Sequence, residues 1–163
     1  MLQTEYARAT KDADVLETLA ITAEVKDQLL GMAGKGKALH ERFGLYLDVV
    51  PGGLPFLPQK ALFHPVAGLG RLKNFTAEAL DVTDVIVSKL RRFNSSDDAD
   101  ARSIAELGLL EHKRLVARFE KALDSFLLDA RAADLPKIIR NLNKVERDYL
   151  GAPPSAFDLP DWV

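Results

Sequence analysis

The sequence predicts an α+β fold, in which a small mixed β-sheet in the first half of the chain is followed by a C-terminal helical bundle. Three patterns indicate this class. The segment 44–50 (GLYLDVV) is rich in β-branched and aromatic residues, and the segment 13–19 is short and mostly apolar. From residue 81 onward, apolar residues recur at the 3.6-residue period of a helix.

The first half is predicted to alternate strands and helices. A strand begins near Lys11 or Asp12, and Thr22 is the expected N-cap of a helix that glycines 31, 34 and 36 weaken and end. A second, shorter helix is expected over 37–43. The next predicted element is the strand 44–50.

The strand 44–50 is stopped by Pro51-Gly52-Gly53, and the prolines that follow predict an irregular segment. A further strand is expected within 71–80. The C-terminal helices are predicted over about 81–93, 97–107, 110–131 and 136–150, with Asp81 or Thr83 as the first cap. Two apolar stripes are expected to face the core: Leu115, Phe119, Ala122, Phe126 and Ala130, and then Ile138, Ile139, Leu142, Val145 and Tyr149.

We therefore divide the chain into an α/β part (1–80), a helical part of the same domain (81–150) and a tail (151–163) that is either mobile or docked. With 163 residues and 47% hydrophobic content, one compact core is expected.

Composition excludes several classes of protein. The absence of cysteine rules out disulfides, thiolate catalysis and Cys-ligated zinc, and the net charge of -2 argues against binding nucleic acid through a bulk basic surface. No signal peptide and no run of eighteen apolar residues is present, so the expected location is cytoplasmic, without a membrane partner.

Three acidic residues are candidate metal ligands. Asp12 and Asp14 are two residues apart in a strand, so their side chains are expected on one face, and Asp48 lies within the strand 44–50. Clustered carboxylates repel one another unless a cation neutralises them, and Mg²⁺ is typically held by one or two carboxylates plus substrate phosphates. We expect the three to line one face of adjacent strands.

The segment 8–15 (RATKDADV) resembles the Arg-x-Thr-x-Asp-x-Asp-hydrophobic segment of the minimal nucleotidyltransferases, in the DNA polymerase β-like superfamily. The segment 47–50 (LDVV) resembles the strand that carries that superfamily's third carboxylate. The segments 84–90 (DVIVSKL) and 97–100 (DDAD) resemble a helical motif of the AbiEii-like branch, which includes toxin–antitoxin and phage-defence proteins. The resemblance covers roughly residues 5 to 110.

This resemblance implies a function. Asp12, Asp14 and Asp48 would be the catalytic, metal-binding residues for Mg²⁺ or Mn²⁺, and an NTP would be the substrate, with Lys89, Arg8 and Lys11 near its phosphates. The product would be a nucleoside monophosphate attached to the hydroxyl of an RNA, protein or small-molecule acceptor.

The family's Gly-Gly or Gly-Ser pair is expected about a dozen residues before the first carboxylate, where this chain has Met1. On this basis we expect an N-terminally truncated nucleotidyltransferase core that is inactive unless the motif is supplied, and that forms a homo-oligomer or binds a partner at the sheet edge left open. The alternative is a catalytically silent regulatory or antitoxin-type protein on the same scaffold.

Each candidate also has a purely structural interpretation. Asp12 and Asp14 fit a solvated turn, Asp48 fits an edge strand that faces water, and Lys89 fits a helix surface. Asp97 and Asp100 fit the first turn of a helix, where acidic residues favour the macrodipole. The segment 34–37 (GKGK) lacks the Walker spacing, and the three histidines lack the spacing of metal ligands.

Overall fold

The computed structural model describes residues 12–16, 21–51, 55–67 and 76–162, and the fold is mixed α+β, as predicted. The described residues fall into two compact units. We call them the N-terminal unit, up to Pro55, and the C-terminal unit, from Phe56 onward. The sequence predicts a boundary between an α/β part and a helical part at residue 80.

The N-terminal unit contains two strands and two helices. Their order is β1 (Asp12–Leu16), α1 (Ala23–Ala33), α2 (Ala38–Phe43) and β2 (Tyr46–Val50). The two strands pair in parallel, which requires a crossover connection, and the segment that contains α1 and α2 provides it.

The ends of these helices follow from local chemistry. The Thr22 hydroxyl accepts a hydrogen bond from the backbone N–H of Val25 (3.3 Å), which confirms the predicted N-cap of α1. Helix α2 ends at Gly44, whose φ of 69° lies in the left-handed region where glycine is favoured, and its N–H donates to the carbonyl of His40.

The C-terminal unit begins with an antiparallel strand pair and continues with helices. Its elements are β3 (Phe63–Pro65), β4 (Glu78–Leu80), α3 (Val82–Lys89), α4 (Ser95–Glu106), α5 (His112–Phe126), a 3₁₀ turn (Ala132–Asp134) and α6 (Leu135–Tyr149). The hydrophobic core lies among these helices and the segment that precedes them. Its fully buried large apolar side chains are Phe56, Ile86, Val87, Leu90, Ile104, Leu115, Phe119, Leu135, Ile138, Leu142 and Val145.

The predicted apolar stripes account for much of this core. On α5, the stripe residues from Leu115 to Phe126 are buried, whereas Ala130 lies beyond the end of the helix and is exposed. On α6, Ile138, Leu142 and Val145 are buried, and the flanking stripe residues are half-buried.

The C-terminal tail is docked on this unit. Gly151 (φ 60°) ends the helical backbone, and the chain then continues without regular structure. The Phe157 ring lies 4.9 Å from the Phe119 ring, and both the N–H and the hydroxyl of Ser155 donate to the buried Glu146 carboxylate. Of the two alternatives for the tail, the structure therefore favours docking.

Five expectations about the elements need correction. In the described part of the chain the strands form two separate pairs, one parallel and one antiparallel, rather than a single mixed sheet. Strand β3 forms in a segment that was predicted to be irregular, because Pro65 is its last residue and β4 supplies its partners.

Helix α4 starts at Ser95, two residues before the predicted start, because Asn94 is its N-cap. Helix α5 ends at Phe126 instead of near residue 131. Of the strand expected within 71–80, only Glu78–Leu80 is observed, and residues 71–75 lie outside the described part.

Candidate functional site

The parallel strand pair brings two of the candidate carboxylates together. Asp14 of β1 is the direct register partner of Asp48 of β2. Neighbouring strands are about 4.8 Å apart, and paired residues of a parallel ladder project from the same face. Asp12 pairs with Tyr46 and precedes Asp14 by two residues, so its position belongs to the same face of the strand.

Asp14 and Asp48 are both exposed. The sequence argument that Asp48 is buried among apolar neighbours is therefore wrong. The physical reason is strand alternation, which puts Leu47 and Val49, both half-buried, on the opposite face. One oxygen of Asp48 accepts a hydrogen bond from the N–H of Val49 (2.9 Å).

Two carboxylates at directly paired positions carry an electrostatic cost. Like charges opposite each other in a sheet are destabilising, and nearby cations relieve this repulsion. The hard oxygen ligands that this pair supplies match the preference of Mg²⁺, which commonly takes one or two carboxylates and completes its shell with water and phosphate oxygens. Asp14 and Asp48 are therefore of the residue type that could hold a divalent cation together with a phosphate ligand.

Among the described residues, no group of three or more His, Cys, Asp or Glu side chains is placed to hold a metal ion. The side chain of Asp12 lies outside that set, so the proposed triad of carboxylates extends beyond what the structure describes. The predicted phosphate-side residues Arg8 and Lys11 lie outside the described residues as well.

The glycine-rich segment 34–37 does not form a phosphate cradle. Three of its four backbone N–H groups are used within the unit: Gly34 donates to the carbonyl of Leu30, Gly36 to Nδ1 of His40 and Lys37 to the carbonyl of Gly34. Because these amides point at protein acceptors, the rejection of a Walker-type loop agrees with the structure.

Lys89 belongs to an ionic cluster of the C-terminal unit. Its ammonium group lies 2.9 Å from an oxygen of Asp97 and 3.1 Å from one of Asp100. Arg92 donates two hydrogen bonds to Asp97, which also accepts from the backbone N–H of Asn94. The structure therefore brings the Lys89 ammonium group close to the carboxylates of Asp97 and Asp100.

Asp97 is the electrostatic centre of this cluster. Burial raises the pKa of its carboxyl, but the hydrogen bonds and charges of Arg92 and Lys89 outweigh burial and lower that pKa to about 2. Asp97 also completes a capping box with Asn94. These contacts support the structural interpretation of Asp97 as a residue of the first helical turn.

Sequence reasoning missed the contacts by which two buried carboxylates, Asp81 and Asp84, join the strand segment to the helices. The Arg118 guanidinium binds both oxygens of Asp84 (2.6 and 2.7 Å), and Asp81 accepts from His64 (2.8 Å) and Arg114 (2.6 Å). One signal was available, because Arg118 interrupts the apolar stripe of α5 three residues after Leu115.

Comparison of the chain with protein-family models, with curated proteins and with solved structures finds no match. Within the described ranges, no helix combines the length and apolar character needed to cross a bilayer.

Proposed function

We propose that the N-terminal unit binds a divalent cation and a nucleoside triphosphate through the β1–β2 face, and that the protein is a nucleotidyltransferase of the minimal, polymerase β-like type. The observation that carries the proposal is the parallel register that pairs Asp14 with Asp48. It adds to the sequence resemblance of 8–15 and 47–50, which by itself concerns only short motifs.

The chain's own residues would act by positioning and by accepting a proton. Asp14 and Asp48, together with Asp12, would hold the cation so that the triphosphate lies against the strand face. When bound, Mg²⁺ or Mn²⁺ would supply charge neutralisation for in-line transfer, in which the acceptor oxygen bonds to the α-phosphorus, the α–β phosphoanhydride bond breaks and pyrophosphate leaves. Asp48, exposed at the edge of this face, would accept the proton of the acceptor hydroxyl. An RNA, a partner protein or a small molecule could provide that hydroxyl.

Titration calorimetry with Mn²⁺ tests the site directly. We expect the intact chain to bind Mn²⁺, and Asp14→Asn and Asp48→Asn each to weaken that binding by about tenfold or more, because each removes one charged ligand. Asp27→Asn is the matched control, since Asp27 is an exposed carboxylate of α1 in the same unit. Equal Mn²⁺ affinity in Asp14→Asn, Asp48→Asn and the control would refute the metal site.

The catalytic part of the proposal has a separate readout. The chain is supplied with the Gly-Gly or Gly-Ser segment that the resemblance requires before residue 1. Incubation of this extended form with each labelled NTP, divalent metal and a cell-free RNA and protein extract should yield labelled acceptor that is lost when the form also carries Asp48→Asn. Metal binding without any label transfer would retain the site and reject the transferase activity.

The second candidate is a catalytically silent interaction protein, such as one member of a toxin–antitoxin pair. The observation that favours it is the apolar surface of the N-terminal unit: α1 and α2 bury none of their residues, and the large side chains of Met32 (59%), Phe43 (59%) and Leu45 (57%) are exposed. Concentration-dependent mass in sedimentation equilibrium that Phe43→Glu abolishes, together with no label transfer by the form that carries the Gly segment, would support this candidate. Label transfer by a monomer would reject it.

A further inference from the structure

A cavity of about 320 Å³ lies on the C-terminal unit between α4 and α6, and the function proposed above does not use it. Arg102 and Glu106 line it from α4, and Lys144, Asp148 and Tyr149 line it from α6. Small-molecule pockets in proteins measure roughly 300–1,000 Å³, so this cavity suits a small ligand.

The α6 side of the cavity is held in one arrangement. The Lys144 ammonium and the Tyr149 hydroxyl both donate to the same oxygen of Asp98 (2.5 Å each), and Lys144 also donates to the Tyr149 oxygen (2.7 Å). These contacts neutralise the negative charge of Asp98 and part of the positive charge of Lys144. The pKa of Asp98 is lowered by its hydrogen bonds from Lys144 and Tyr149, which outweigh burial.

The α4 side presents two exposed charged groups, and the Arg102 charge also acts on the Asp98 carboxylate. Arg102 and Glu106 are exposed, and within the described residues neither the guanidinium nor the carboxylate makes a hydrogen bond or an ion pair. They are four residues apart on one helix face, but the basic residue comes first, which is the weaker of the two orders for an intrahelical pair. The Arg102 guanidinium instead lies 5.6 Å from the centre of the Tyr149 ring.

The balance of charge selects the class of ligand. Two cations and two anions line the cavity, and the Asp98 carboxylate lies behind them. A nucleotide or another polyanion would meet repulsion from Glu106 and Asp148, and a simple cation would meet repulsion from Arg102. Lys144 and Asp148 already form ion pairs within the protein, whereas Arg102 and Glu106 form none among the described residues. A molecule with one carboxylate and one ammonium group therefore has a complementary partner on α4 for each of its charges.

We propose that this cavity binds a free amino acid, whose carboxylate pairs with the Arg102 guanidinium and whose ammonium group pairs with the Glu106 carboxylate. An Arg guanidinium binds a carboxylate through two parallel hydrogen bonds, which fixes its orientation. The Cβ atoms of residues four apart on a helix are about 5–6 Å apart, a separation that a bound amino acid can bridge. This site is independent of the β1–β2 face.

Nuclear magnetic resonance of the isotope-labelled full chain tests the proposal. Each common free L-amino acid is titrated to millimolar concentration, and at least one should shift the amide signals of 98–106 and 144–149. The N-acetyl and the amide derivatives of that amino acid, which lack the ammonium and the carboxylate charge respectively, should bind about tenfold more weakly or worse. Inorganic phosphate should not shift these signals.

Two variants and two matched controls complete the experiment. Arg102→Gln and Glu106→Gln should each weaken binding by about tenfold, while Arg140→Gln and Glu120→Gln, which change exposed charges elsewhere on α6 and α5, should leave it unchanged. Because all four side chains are exposed, the folded spectra should be retained. The proposal is overturned if no free amino acid shifts these signals, if phosphate binds there more tightly, or if the controls weaken binding as much as Arg102→Gln.

Discussion

The ion pair between Asp84 and Arg118 allows a test of how a buried charge pair contributes to the stability of the C-terminal unit. Both side chains are buried, with exposed fractions of 0% and 8%. Arg118 binds both carboxylate oxygens of Asp84 and also donates to the carbonyl of Lys60, while the N–H of Leu62 donates to Asp84. The pair therefore connects α3 and α5 to the segment before β3.

Replacing Asp84 with alanine should cost about 3–5 kcal/mol of unfolding free energy, the loss expected when one partner of a buried pair is removed. The structure gives the reason. The guanidinium would remain buried with only the Lys60 carbonyl as an acceptor, and the N–H of Leu62 would lose its partner. Two hydrogen bonds to a charged group, at roughly 1.5–3 kcal/mol each, lead to the same range.

Urea denaturation followed by circular dichroism measures this change. The double variant Asp84→Leu/Arg118→Met should lose less stability than Asp84→Ala, because it removes both charges and leaves apolar groups in their place. Arg147→Ala is the control. It breaks the pair with Asp148, in which the arginine side chain is 65% exposed, and no measurable loss is expected. A loss below about 1 kcal/mol for Asp84→Ala, or a larger loss for the double variant, would refute the reasoning.

Three further predictions follow. The pKa of Asp97 is about 2, below its ordinary 3.8, so its stabilisation, at most about 2 kcal/mol, is present above pH ~4 and is lost as pH falls towards 2. In Asp97→Asn the free energy of unfolding should therefore fall less steeply as pH decreases from about 4 to 2. A pH dependence equal to that of the intact chain would contradict this. Phe157→Ala should cost about 2 kcal/mol in urea unfolding, because a half-buried ring leaves the Phe119 ring; unchanged stability would show that the tail is not docked. Millimolar Mn²⁺ should raise the melting temperature of the intact chain but not of Asp14→Asn, and an equal rise in both would count against the metal site.

The limits of several elements could be predicted because the responsible interactions are local. Thr22 caps α1 through an atom three residues away, and Gly44 ends α2 by adopting a positive φ. The error in the predicted start of α4 also has a local cause. Asn94 is the N-cap because its side chain accepts hydrogen bonds from the backbone N–H groups of Ser96 and Asp97.

Strand β3 could not be predicted in this way. Proline argued against a strand, yet the ladder forms because the N–H of Val66 finds the carbonyl of Ala77 and the N–H of Asp81 finds that of Leu62. These partners are 11 to 19 residues apart in the sequence, and no propensity of a short segment contains them.

The sequence by itself determined the α+β class, most helix limits and the residues of the buried stripes, because caps and periodicity act within one or two turns of chain. It also singled out Asp14 and Asp48 as residue types suited to a hard cation. Only the tertiary structure decided that they are register partners, and that Asp84 is paired with an arginine 34 residues away. Charge pairing of this kind depends on strand register and on how helices pack, and both are set by the sum of many distant contacts rather than by the residues that form the pair.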